Sequence, residues 1–214
     1  MTEADTRTLL VTLAASLFAR GYSVGSAGNI SVRLLDGYLI TPTNSCLGRL
    51  EPERLSRLDS EFSHVSGDLP SKEVFMHRAF YQARNDAGAV VHLHSTMATA
   101  IACLAAPDEA AIPLLTPYFV MRIGRVLPMV PYCQPGDAAM EPAILAAARN
   151  ARAILLANHG PVVCGASLAD AVYAAEELEE AAKLAMVLRS AATRVLTSAQ
   201  VDSLIATFGP PRPG

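Results

Sequence analysis

Four cysteines, Cys46, Cys103, Cys133 and Cys164, stand far apart with no CxxC pair among them. That spacing argues against a zinc ribbon and a disulfide scaffold and points to a reducing compartment. Cys164 reads either as a nucleophile or as a small buried residue. Charge is sparse as well: Asp, Glu, Lys and Arg make up 17% of the chain, and the formal net charge is −3. The basic residues are scattered, so the basic stripe that nucleic-acid binding needs is missing. Uninterrupted apolar runs are missing too. Leu9–Ala19 is apolar, but Glu3 and Asp5 precede it where a secretory signal would be basic, and no cleavage site follows. Residues 87–107 lack Asp, Glu, Lys and Arg but carry His92, His94, Ser95, Thr96 and Thr99, which a spanning helix would have to bury in lipid. The expectation is a soluble, cytoplasmic protein with no membrane and no nucleic acid among its partners.

What is present suits a folded enzyme-sized unit. The chain has 214 residues, 51% of them hydrophobic, enough for a sizeable core in one mixed α/β domain spanning 1–214. No repeat, low-complexity segment or linker divides it. Leu9, Leu10, Leu13 and Leu17 follow helical periodicity over 3–20, ending at Gly21. "ISVRLLDGYLITPT" predicts a hairpin, Ile30–Leu34 with Tyr38–Thr41, turning at Asp36-Gly37. Residues 50–70 read as turns with one further strand near Phe62. "PSKEVFMHRAFYQARN" predicts a helix after Pro70 capped by Ser71. "AGAVVHLH" reads as a strand, and Ser95 to Ala105 as a helix that Ser95 caps. The proline-rich stretch 107–137 should be mostly loop with short strands. A helix is expected over 138–149, then two strands in "ARAILLANHGPVVCG" joined by a tight turn at Asn158-His159-Gly160-Pro161. Leu168–Ala192 reads as a long helix and 198–207 as a short one.

Polar residues capable of chemistry gather at three places in this outline. His92 and His94 are two apart on a strand, so they share a face with their Cα atoms roughly 6–7 Å apart, a spacing that suits two ligands of one zinc ion. His159 lies in a turn that closes another strand, and Glu73 in the first turn of a helix. Catalytic zinc commonly takes three protein ligands and keeps one position open. Three histidines would fill that set, with Glu73 binding the metal or acting as a base. Each residue also has a plainer reading. His159 before Gly160 favours a left-handed turn, and Glu73 in a first turn complements the helix dipole. His77, in mid-helix, reads as a structural or surface residue, and His64 has no comparable placement.

A phosphate dianion needs several short donors: backbone N–H groups in a glycine-rich turn, hydroxyls and a helix N-terminus. Gly28 with Asn29, Thr43 with Asn44, and Ser71 offer that set. Lys72 either adds positive charge to it or points into solvent.

The ordered motifs "GSAGNISVR", "ITPT", "PSKE", "AVVHLHS" and "LLANHGPVV" resemble the class II aldolase/adducin family of zinc-dependent sugar-phosphate lyases over about residues 5–190. The resemblance implies a three-layer α/β/α sandwich around a mainly antiparallel sheet. It implies zinc bound by His92, His94 and His159, with Glu73 as metal-adjacent acid/base and Gly28, Asn29, Thr43, Asn44, Ser71 and Lys72 around a phosphorylated small-molecule substrate. It also implies a homotetramer with the site near a subunit interface. Within the family, "LLTPYFVMRIGRVLPMVPYCQPGD" and "YAAEELEEAAKLA" are most similar to the branch that decarboxylates 3-oxo-tetronate 4-phosphate through a metal-stabilised enediolate. Tyr118 matches a family tyrosine that assists proton transfer or stabilises the transition state. The second expectation is an aldolase for a substrate like L-fuculose 1-phosphate, and the third an adducin-like interaction module without the zinc chemistry. No role follows for Arg122 or Arg125.

Overall fold

The structure, a computed structural model, describes residues 2–104 and 112–208. Helix α1 (Glu3–Ala19) starts at Thr2, whose hydroxyl accepts from the Asp5 N–H while the Asp5 carboxylate accepts from the Thr2 N–H. This reciprocal cap satisfies donors that a helix start leaves orphaned. Leu10, Ala14 and Leu17, one turn apart, are fully buried. Burying one such leucine is worth about 1.5–3 kcal/mol.

Among the described residues eight strands form one sheet: β1 (Asn29–Leu34), β2 (Gly37–Ile40), β3 (Ser56–Leu58), β4 (His64–Ser66), β5 (Ala89–His92), β6 (Met129–Val130), β7 (Ala153–Leu156) and β8 (Gly160–Gly165). Their order is β4-β3-β2-β1-β5-β8-β7-β6, and of these eight described strands only the neighbours β6 and β7 run parallel. Both faces are covered, and alternate residues serve opposite faces, as the pleat requires. Ile30, Val32, Ala89, Val91, Ala153, Leu155 and Val163 join the core beneath α1, α3 (Thr96–Ala102), α4 (Pro117–Arg122) and α6 (Leu168–Val187). Val90, Ile154, Leu156, Val162 and Cys164 join the core beneath α2 (Val74–Ala83) and α5 (Glu141–Ala148). The result is the expected three-layer α/β/α sandwich around a mainly antiparallel sheet. A last helix, α7 (Ser198–Phe208), packs on α4.

The structure departs from the expected elements in several places. Near Phe62 the structure has two short strands, β3 and β4, where one was expected; Phe62 itself sits at φ +64° in the turn between them, stacked on Tyr38 with ring centroids 4.1 Å apart. Helix α2 starts at Val74, so Ser71 does not cap it and Glu73 occupies the cap position. The cause is tertiary: Pro70 bridges Pro42, and the Ser71 N–H donates to Thr41 O at 3.3 Å, which holds 70–73 as loop. Strand β5 ends at His92, leaving His94 just beyond it. Ser95 precedes α3 without capping it; the N–H groups of Met97 and Ala98 donate to the Glu179 carboxylate from α6 instead. The proline-rich stretch contains a helix, α4, with Thr116 as cap and Pro117 in its first turn. Helix α6 ends at Val187, five residues short of Ala192. Ala105 and positions 107–111 lie outside the described residues.

Candidate metal centre and substrate cleft

β1, β5 and β8 are neighbours, and the site forms at one end of these three strands. Asn29 opens β1 directly opposite His92, the last residue of β5. His159 precedes β8 in a tight turn in which Asn158 takes φ +57°. Two close approaches draw these pieces together. A Cβ on Gly28, at φ +79°, would lie 2.8 Å from the His92 carbonyl oxygen, and one on Gly160 would lie 2.5 Å from that of Leu93. Only glycine permits the loop and the turn to press this closely on the end of β5.

His92 is fully buried, and its Nδ1–H donates to Pro161 O at 2.9 Å. That bond fixes the tautomer and leaves Nε2 bare, the nitrogen available to a metal ion. The Nε2 atoms of His92 and His94 are 3.1 Å apart, and His159 brings a third ring nitrogen, all three within 4.8 Å of one another. Two nitrogens each about 2.05 Å from one ion at the tetrahedral angle would be about 3.3 Å apart. Burial, reinforced by the neighbouring rings, holds His92 well below its ordinary pKa and lowers His94 to about 4; burial also lowers His159. Neutral imidazoles are the form that binds metals. The Glu73 carboxylate lies 3.7 Å from His92 Nε2 and 3.5 Å from His159 Nε2. Three neutral nitrogens converging beside a carboxylate, with His159 Nδ1 buried and unpartnered, are a donor set that fits a divalent cation.

A cleft of about 180 Å³ opens beside these groups. Gly28, Asn29, Thr43, Asn44, Ser71, Lys72, Glu73 and His94 all line it, so the six residues expected around a phosphate do come together. The bridge between Pro42 and Pro70 brings the 41–46 and 70–73 loops side by side. Ser71 Oγ accepts from the Glu73 N–H at 3.2 Å, which leaves its own proton free to donate. Asn29 Nδ2 donates to Glu73 Oε2 at 2.8 Å, so one of its two N–H groups is already engaged. Pro135 and Gly136 also line the cleft. The sequence offered only a turn-like "QPGD" to mark them.

Tyr118 does not join this group. It lies on α4, 64% exposed, and is not among the residues lining the cleft. Arg122 pairs with Asp170 at 3.1 Å and Arg125 pairs with Asp202. His77, expected as a structural or surface residue, is fully buried; it bonds Asn29 on one side and Ser31 on the other.

Comparison with known proteins agrees with this architecture. Residues 8–186 match the family described as Class II Aldolase and Adducin N-terminal domain. The chain is 48% identical over 204 residues to an Escherichia coli (strain K12) protein named 3-oxo-tetronate 4-phosphate decarboxylase, covering 94% of this chain and 96% of that protein. It is 37% identical over 164 residues to the L-fuculose phosphate aldolase of the same strain, covering 77% of this chain and 74% of that one. A crystal structure of Escherichia coli YgbL superposes with a TM-score of 0.91 at 46% identity, covering 94% of this chain and 98% of that one. With its fold, its histidine cluster and its match over most of its length in accord, the chain belongs to the class II aldolase and adducin family.

Proposed function

We propose that this protein is a zinc-dependent carboxy-lyase that converts 3-oxo-tetronate 4-phosphate to dihydroxyacetone phosphate and CO2. The observation that carries this reading is the junction of His92, His94, His159 and Glu73 with a cleft lined by anion donors. The substrate class follows from the relative that is 48% identical. His92, His94 and His159 would hold the ion, with Glu73 at its edge. When bound, the ion supplies Lewis acidity for the oxyanion that develops as CO2 leaves. The chain's residues do the rest. Backbone groups at Gly28 and Asn44, the hydroxyls of Thr43 and Ser71, the second N–H of Asn29 and the Lys72 ammonium hold the phosphate. Loss of CO2 from the β-keto acid leaves its bonding electron pair on the adjacent carbon. Glu73, taking a proton from water, delivers it to that carbon, so each turnover consumes one proton.

Tyr118 is assigned to assist that proton transfer or to stabilise its transition state. Its exposure on α4 suits contact with the cleft of another subunit, so the reading includes a homotetramer with its sites near subunit interfaces. The four free cysteines suit a cytoplasmic setting. Among the described residues no helix is long and apolar enough to cross a membrane. The likeness to L-fuculose phosphate aldolase supports a second reading, carbon–carbon cleavage releasing an aldehyde. The intact donor set disfavours an adducin-like module without metal chemistry.

A product assay separates these readings. Both configurations of 3-oxo-tetronate 4-phosphate, and L-fuculose 1-phosphate, are offered to metal-free and zinc-loaded protein. The expected result is CO2 and dihydroxyacetone phosphate in equal amounts from a 3-oxo-tetronate 4-phosphate, with zinc required. Aldehyde release from L-fuculose 1-phosphate without CO2 release would establish the second reading instead.

A further inference from the structure

We propose that His77 is a positioning residue for Glu73, acting through a one-way chain of hydrogen bonds that runs Tyr81, Ser31, His77, Asn29, Glu73. The proposal rests on the reading of Glu73 as the proton-handling group. The distances are 2.8 Å from Tyr81 Oη to Ser31 Oγ, 2.7 Å from Ser31 Oγ to His77 Nδ1, 2.5 Å from His77 Nε2 to Asn29 Oδ1, and 2.8 Å from Asn29 Nδ2 to Glu73 Oε2. Ser31, His77 and Asn29 are 2%, 0% and 5% exposed, so water does not substitute for any partner.

The direction of every bond follows from one end. A carboxylate only accepts, so Asn29 must present its NH2 to Glu73 and its carbonyl to His77. His77 Nε2 must therefore carry the proton, and Nδ1 must accept. Ser31 then has to donate to Nδ1, which leaves its oxygen to accept from Tyr81. No other assignment satisfies all four contacts. Burial agrees: it pushes the His77 pKa down to about 3, so the ring is neutral and a single tautomer suffices. Dipoles aligned head to tail strengthen one another, and here they all end on one carboxylate oxygen. Oε2 is held by this chain, which leaves Oε1, on the His159 side, as the oxygen free to exchange a proton.

The backbone makes the chain possible. Glu73, at the cap of α2, and His77 and Tyr81 within it are successive i, i+4 positions along one stripe, spaced about 6 Å apart. Asn29 and Ser31 are alternate residues on the facing side of β1, about 6.6 Å apart. These near-equal rises let the two elements exchange side-chain contacts rung by rung. A buried polar side chain that served packing alone would be replaceable by an apolar one among Phe75, Met76 and Phe80.

The test compares wild type, His77→Phe, His77→Gln, Glu73→Gln and the double variant His77→Phe/Glu73→Gln, measuring kcat, KM, bound zinc and thermal stability. Losing one hydrogen bond to a charged group corresponds to about a ten- to hundredfold change. His77→Phe should lower kcat by that factor with KM and zinc content within about twofold. His77→Gln, whose amide can donate in place of Nε2, should recover much of the loss. In the Glu73→Gln background the His77→Phe effect on kcat should vanish. Unchanged kcat in His77→Phe, the same fractional loss in the Glu73→Gln background, or no recovery by glutamine overturns the proposal. Near-normal turnover in Glu73→Gln instead overturns the site reading beneath it. If His77→Phe does not fold, Ser31→Ala serves: kcat should fall with zinc retained, and an unchanged kcat overturns the proposal. Independently of activity, 15N chemical shifts of the His77 ring should report the proton on Nε2. A proton on Nδ1 refutes the chain.

Discussion

Replacing Gly28 with alanine should weaken the fold and loosen the metal site together, and a neighbouring glycine supplies the control. Gly28 sits at φ +79°, where an L-residue is disfavoured by about 1–2 kcal/mol. The added Cβ would also lie 2.8 Å from the His92 carbonyl oxygen and 3.5 Å from Leu47 Cδ1 and Leu93 Cα. The first of these is inside any tolerable contact, and the atom it meets is backbone, with no flexible side-chain tip that could give way. Overpacking of this kind typically adds about 1–3 kcal/mol, for a combined loss of about 2–5 kcal/mol. In a chain of this size that lowers the melting temperature by roughly 4–20 °C. Gly25→Ala bears only the conformational part, because φ is +57° but nothing lies within 4 Å of its Cβ. Both variants are to be melted metal-free, so that zinc binding does not mask the difference, and then titrated with zinc. Gly28→Ala should melt below Gly25→Ala and bind zinc more weakly, since relief of the clash displaces the backbone of His92. Equal melting temperatures for the two variants would show that close approach to His92 is not what demands glycine at position 28.

Three further outcomes are expected. His94→Ala should weaken zinc binding by more than the 10–100-fold typical of losing an outer-shell partner; full zinc content with full turnover, read by elemental analysis and CO2 release, would remove His94 from the site. Ser71→Ala should raise KM about tenfold or more, one charge-assisted hydrogen bond being worth about 1.5–3 kcal/mol, and sulfate should inhibit the variant less than the wild type. A phosphate-free substrate analogue that reacts as well as the phosphorylated one would refute that role. Because burial lowers the folded-state pKa of His77 to about 3 from 6.5, the unfolded chain binds a proton in that window that the folded chain does not. Stability from this group is therefore intact above 6.5 and lost as pH falls below it, by up to about 1.4 kcal/mol per pH unit. Urea midpoints of His77→Gln should fall less steeply than wild type between pH 6.5 and 5, and parallel slopes would count against a neutral buried His77.

Much of this was legible in the sequence because local signals and final structure agree. The leucine spacing of α1, the Asp36-Gly37 hairpin turn and the "NHG" turn are each specified within a few residues. The histidines were legible as candidates because a two-residue strand spacing survives one step beyond the end of β5. What local signals could not supply was placement decided by distant partners. Ser71 looks like a helix cap, but pairing of its loop with residues 41–43 holds it in loop form. The strand expected near Phe62 is there, as β4, but Phe62 itself, stacked on Tyr38 from another strand, lies in the left-handed turn before it. The Thr116-Pro117 start of α4 was present as a cap followed by a first-turn proline, and was hidden by the prolines around it. For His77 the structural alternative holds, but no spacing rule shows that Ser31 and Asn29, far away in the chain, await its two nitrogens.

The pairing of β8 with β5 carries a consequence for the order of events when the chain folds. His92 and His94 are near neighbours in sequence, so any early hairpin-like collapse can present them together. His92 meets the β8 segment only across a separation of 69 residues, the distance spanned by its bond to Pro161. Non-local closures of this kind are the slow steps of folding. On the proposed ligand set the third nitrogen, from His159, therefore arrives late, and with it the change from a weak two-point chelate to a tight one. Zinc uptake during refolding should thus lag behind helix formation and keep time with sheet closure, so that the ion acts as a latch on the finished sheet.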